Sequence, residues 1–178
     1  EGCTIHVGVG TFIAKANVAA PNPVLLVEKP VTILGAGADK TFVSAANAAR
    51  YVVRMNCAGA LLKDVCICNS LYNAWVTGVG LTLVAGEGRN VVIENITGYH
   101  TPGADISGGA LYDSVIRKIT SNTTPNGIGM LLKGTGLVSG CEIYGLSKVG
   151  NGSMTGAGVR QEGGTLENCY IHDNWLGN

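Results

Sequence analysis

Charge is scarce in this chain. Only 13% of its 178 residues are Asp, Glu, Lys or Arg, about half the usual share, and 12 basic side chains balance 12 acidic ones. No basic stripe marks a nucleic-acid surface, and no acidic run marks a solvating tail. Aromatic residues make up only 6%, so a glycan-contacting surface built on rings has few candidates. No apolar run reaches the roughly 18 residues of a membrane helix, so no membrane span is expected. The opening EGCTIHVG has neither the basic start nor the apolar stretch of a secretion signal, and it reads directly as strand. Helix-compatible windows such as SAANAA (44–49) are too short to stand alone. Cysteines at 3, 57, 66, 68, 141 and 169 show no paired CxxC spacing, and no metal site is assigned. Cys66 and Cys68 form C-x-C, which puts both on one face of a strand, an arrangement that does not easily close into a disulfide. The thiols read chiefly as small buried hydrophobes, with disulfides or metal binding as the alternatives.

What the chain does contain is repetition. There are 27 glycines, and apolar patches such as YVVRM, LTLV, NVVIENI and MLLKG favour short strands. One six-residue pattern recurs as LKDVCI from Leu62, IENITG from Ile93, IRKITS from Ile116, VSGCEI from Val138 and LENCYI from Leu166. A looser copy, VTILGA, begins at Val31. A second apolar strand precedes each: YVVRM (51–55), GLTLV (80–84), GGALY (108–112), GMLLK (129–133) and GVRQE (158–162). The last two units, GMLLKGTGLVSGCEIYG and GVRQEGGTLENCYIHDN, align without a gap. Short-strand repeats of ~20–30 residues with glycine turns indicate a solenoid. The leucine-rich LxxLxLxxN spacing and the calcium-binding GGxGxD pattern are both absent.

The fold class expected is therefore all-β: a single-stranded right-handed parallel β-helix (β-solenoid) of about six coils, with residues 1–178 as one domain. Equivalent residues then stack in columns at ~4.8 Å. Val65, Ile96, Ile119, Cys141 and Cys169 form the expected inward column. Lys63, Glu94, Arg117, Ser139 and Glu167 form an outward one, in which opposite charges on neighbouring strands attract. Asp64, Asn95, Lys118, Gly140 and Asn168 fall at corners. PVTILGAGADK (30–40) fits the same scheme. A phosphate loop needs a third glycine in register and a following helix. Here another strand follows, so Gly35 and Gly37 are expected to turn a corner.

TIHVGVGTFIA (4–14) followed by KPVTILGAGADKTFV (29–43) resembles the first coils of the right-handed parallel β-helix, or pectin-lyase-like, superfamily. GTLENCYIHDN (164–174) resembles the repeat units of bacterial secreted or surface-attached β-helix proteins. The resemblance spans essentially the whole chain and implies an extracellular or cell-surface location. It says little about activity, because the superfamily includes lyases, esterases, hydrolases, tailspikes and adhesin-like proteins without chemistry. The NxD, DD, GHG and RxK patterns of the polygalacturonases and the QD pattern of the pectin methylesterases are absent here. A pectate-lyase-like reaction needs a cation and a basic residue. Asp64, Glu94, Asp113 and Glu142 are scattered, and Arg117, beside Lys118, is the weak candidate for a catalytic base. Calcium would be a cofactor only under that alternative; otherwise none is expected.

Sugar binding commonly uses exposed rings. SLYNAWVTG (70–78) interrupts the repeat and brings Tyr72 near Trp75, and GYHTPG (98–103) supplies Tyr99 and His100 one coil later. These four are the candidate ligand-binding residues. His6 in the first strand, His100 in a loop before Pro102 and His172 in the last repeat lie far apart in sequence, and exposed-turn histidine is the reading preferred to a metal or triad role. Both ends read as strand or turn rather than cap, so continuation in a longer chain or end-to-end self-association is expected. The function expected is that of a non-catalytic secreted or surface module, scaffold- or adhesin-like, with a polysaccharide or surface glycan as its partner. The alternative is a lyase or hydrolase acting on polyuronates such as pectin.

Overall fold

The computed structural model describes residues 2–13, 23–48, 51–70, 79–98, 102–121, 128–148 and 157–174. Every element among them is a strand, and the strands join in one 17-stranded sheet. The sheet winds as a right-handed parallel β-solenoid of about five turns. No helix among the described residues is long and apolar enough to cross a membrane.

Each turn presents three walls. Wall A stacks Pro102–Ile106, Ile128–Leu132 and Ala157–Gln161 over the equivalent stretches 81–83, 53–55 and 25–27. Wall B stacks Ala110–Tyr112, Leu137–Ser139 and Thr165–Glu167 over 87–89 and 61–63. Wall C stacks Glu142–Tyr144 and Tyr170–His172 over 115–117, 92–94 and 66–68. Its central column, Val43, Ile67, Ile93, Ile116, Ile143 and Ile171, points inward. From Ile67 to Ile143 every member of that column is fully buried. Leu62, Leu111 and Val138 fill the inward position of wall B, and Leu81, Met130, Leu132 and Ile106 fill wall A. Burying a side chain of this size stabilises by about 1.5–3 kcal/mol, which makes these columns the main source of cohesion.

The corner explains why the six-residue pattern recurs. Walls B and C each end in an inward apolar residue, an outward residue and then a residue with left-handed backbone. Asp64, Asn90, Asp113, Gly140 and Asn168 end wall B; Asn69, Asn95, Lys118, Gly145 and Asp173 end wall C. All ten have φ between 47° and 66°. Asn, Asp and Gly tolerate this region and a β-branched residue does not, so the corner chemistry selects these types at nine of the ten corners, with Lys118 the exception. At the wall B corners the Asn90 Nδ2 also donates to Asp64 Oδ1 in the turn below, at 2.6 Å.

Two corners per turn correct the sequence alignment. Leu62, Val138 and Leu166 belong to the wall B corner, whereas Ile93 and Ile116 belong to wall C. The expected columns are therefore two columns each. Val65 and Cys141 lie on the wall B corner, with Val91 beside Val65; Ile96 and Ile119 lie on the wall C corner. GGALY is a wall B strand, and the wall A strand of its turn is Pro102–Ile106 instead. The gap-free alignment of the last two units slips by one residue. Met130 pairs with Val159 but Val138 with Leu166, because the turn 133–136 is one residue longer than 162–164.

GAGADK does turn a corner. Gly37 has φ of 140°, and the amides of Lys40 and Thr41 both donate to its carbonyl. The buried Thr41 hydroxyl closes the turn: it accepts from the Ala36 amide at 2.9 Å and donates to the Gly8 carbonyl at 3.0 Å. Gly35 is there for space rather than φ, since a Cβ would run into the Asp64 carbonyl. In the first turn Ile5, Val9, Phe12 and Ile13 are exposed, and an apolar cavity of about 310 Å³ opens between Phe12, Ile33, Val43 and Val65.

Candidate functional site

The richest polar surface lies on the outer face of wall C. Residues either side of the inward isoleucine column point outward. One outward column runs Ser44, Cys68, Glu94, Arg117, Tyr144, His172; the other runs Phe42, Cys66, Val92, Val115, Glu142, Tyr170. Parallel register thus brings together side chains that are 20 to 30 residues apart in sequence.

Arg117 is the hub. Its Nε donates to Glu94 Oε2 at 2.8 Å, and its Nη1 donates to the Tyr144 hydroxyl at 3.2 Å. Lys118, carried on the corner by its left-handed backbone, reaches the same Glu94 oxygen at 3.6 Å. The hydrogen bonds it donates to Tyr144, and then to Glu94, push the Arg117 guanidinium further up, so it holds its proton more firmly. The expected attraction between Glu94 and Arg117 is present. Lys63, by contrast, pairs in register with Arg89 on wall B, and Ser139 and Glu167 also lie on wall B.

Above Arg117 the column turns aromatic. The Tyr144 and His172 rings stack with centroids 5.1 Å apart and planes 12° apart. Tyr170, on the strand of His172, stacks on it at 4.2 Å and 24°. The Tyr170 side is open to solvent, at 64% exposure. The His172 Nε2 lies 3.0 Å from Glu142 and its Nδ1 2.9 Å from Asp173. Hydrogen bonds donated first to Asp173 and then to Glu142 raise the imidazole above its ordinary value. His172 is therefore a strand residue clamped by two carboxylates and two rings, not the free turn histidine expected.

No protein-family model matches the chain, and no curated protein matches it.

Tyr72, Trp75, Tyr99 and His100, the ring residues singled out from the sequence, lie outside the described residues. Sequence reading missed Tyr144, Tyr170, His172 and Glu142 as a group. A signal was available: the corner pattern repeats five positions later in each unit, so Tyr144 and His172 occupy the Arg117 position. Among the described residues no group of three or more His, Cys, Asp or Glu side chains is placed to hold a metal ion.

Wall A carries a smaller polar feature. Thr82 and Asp105 are neighbours in register, and the Thr82 Oγ1 and Asp105 Oδ1 are buried without a hydrogen-bond partner. The other Asp105 oxygen pairs with Lys133 at 3.0 Å. On wall B, Arg89 lies over the Tyr112 ring at 4.2 Å and is also held by Glu87 at 2.9 Å.

Proposed function

We propose that the chain is a non-catalytic, pectin-lyase-like β-helix module of a secreted or cell-surface bacterial protein, and that the outer face of wall C contacts a polysaccharide. The observation that carries this reading is the stacked Tyr144–His172–Tyr170 group in line with Arg117, Glu94 and Glu142. Rings at coil spacing offer flat area to the apolar faces of sugar rings, and the charged groups beside them offer hydrogen bonds to hydroxyls. A rigid wall supplies this surface with little ordering penalty.

The same geometry weighs against the lyase alternative. A base has to give up its proton to be ready, and the partners of Arg117 hold that proton in place. Glu94 is likewise taken up by Arg117 and Lys118.

The test is affinity electrophoresis in gels carrying soluble polygalacturonate or a neutral xylan, with a parallel assay for unsaturated uronate. Retardation by at least one polymer, lost in Tyr170→Ala and Tyr144→Ala, is the expected result, with no unsaturated product. Unaltered mobility in both gels, or steady release of unsaturated product abolished by Arg117→Ala, would overturn the reading.

A further inference from the structure

Cys66 and Cys68 stand one turn above Phe42 and Ser44 in the two outward columns of wall C. Ile67 between them points into the core, so both thiols project to the outside of the wall. Their register mates one turn on are Val92 and Glu94, and further up the columns are half-buried until Tyr170, which is exposed. Yet the two cysteines are only 1% and 3% exposed. Ser44, the register mate of Cys68 in the turn below, accepts from the Asn69 amide at 3.3 Å. Ser44 is buried as well. The result is a pair of buried thiols on one face of a single strand.

From this arrangement we infer that Cys66 and Cys68 form a two-coordinate site for a soft monovalent d¹⁰ cation such as Cu⁺ or Ag⁺. Thiolates select soft ions. Zinc and iron need about four ligands, and no third His, Cys, Asp or Glu among the described residues completes such a set. Binding moves no electrons: the two S–H bonds break, two S–metal bonds form, and two protons leave to solvent. The bis-thiolate complex carries one negative charge. The Glu94, Arg117 and Lys118 group directly above, one carboxylate with two cations, carries one positive charge and compensates it.

A second thiol pair provides the control. Cys141 and Cys169 interact in neighbouring turns at the wall B corner, but each thiol donates to backbone carbonyls, those of Ser139 and Leu111 for Cys141 and those of Glu167 and Val138 for Cys169.

The experiment is anaerobic titration of the reduced chain with Cu⁺ against a chromogenic Cu⁺ chelator. One ion is expected to be retained per chain, with affinity falling by at least ~100-fold in Cys66→Ser and in Cys68→Ser, because one thiolate cannot complete a two-coordinate sphere. The Cys141→Ser/Cys169→Ser variant is expected to retain the ion. Hydrogen exchange on the unaltered chain gives a readout free of folding defects: one equivalent of Cu⁺ should slow exchange at 65–69 and 92–94 and not at 139–142. Failure of the chain to hold Cu⁺ against the chelator, retention in both single variants, or protection centred on 139–142 overturns the site.

Discussion

The Arg117 Nε lies 2.8 Å from the Glu94 carboxylate in the turn below, and the same guanidinium reaches the Tyr144 hydroxyl in the turn above. One side chain thus ties three successive turns along the outside of wall C, where the inward isoleucines tie them from within. Glu94 is the more enclosed partner, with its side chain 14% exposed against 35% for Arg117. A double-mutant cycle of Arg117→Met and Glu94→Gln, read by urea unfolding, is expected to give a coupling on the order of 0.5–1.5 kcal/mol. A coupling of zero would reduce the pair to surface decoration.

His172 makes the last turn sensitive to pH. Its folded value is raised by Asp173 and Glu142, so its contribution is fully present below the unfolded value near 6.5 and is lost as pH rises through the raised folded value. The thermal midpoint should therefore fall across that window in the parent chain, and the His172→Gln variant should show a flatter profile. An NMR titration placing the His172 midpoint at or below the ordinary value would contradict this directly.

Thr82 carries a buried hydroxyl with no partner. Replacing it with valine keeps the shape, suits the strand and removes an unsatisfied group. Thr82→Val is expected to raise stability by roughly 1 kcal/mol. A clear loss would mean that the hydroxyl is satisfied in solution by a bound water.

A ladder of glycines, Gly80, Gly103, Gly129 and Gly158, enters wall A one above another. A Cβ on Gly129 would sit 2.6 Å from the Gly158 carbonyl oxygen and 2.6 Å from the Leu146 side chain. Gly129→Ala should cost about 1–3 kcal/mol through overpacking. The neighbouring Gly145 corner has φ of 65°, and a Cβ there would meet only the Lys118 amide nitrogen at 3.7 Å, an ordinary contact, so Gly145→Asn, a residue that tolerates left-handed backbone, should be much milder in the same chemical denaturation assay.

The repeat was legible because a solenoid imposes the same local demands on every turn. An inward apolar residue, an outward variable one and a left-handed corner leave a pattern that survives in LKDV, IENI and IRKI. The pairing of Glu94 with Arg117 was legible for the same reason. What misled was degeneracy: two corners in each turn obey one local rule, so copies from walls B and C look equivalent in sequence. Only register separates Val138 and Leu166 from Ile93 and Ile116.

By itself, then, the sequence determined the architecture: parallel coils, glycine and asparagine corners, a core of stacked aliphatic side chains. Those features arise from residues within a few positions of one another. The tertiary structure decided the surface. Tyr144 and His172 stack, His172 meets Glu142, and the buried Cys66–Cys68 pair lies beneath Glu94 and Arg117 only because turns of unequal length come into register. The number of residues in each intervening loop sets that register, and hydrogen bonding between whole turns, not local propensity, determines which side chains become neighbours.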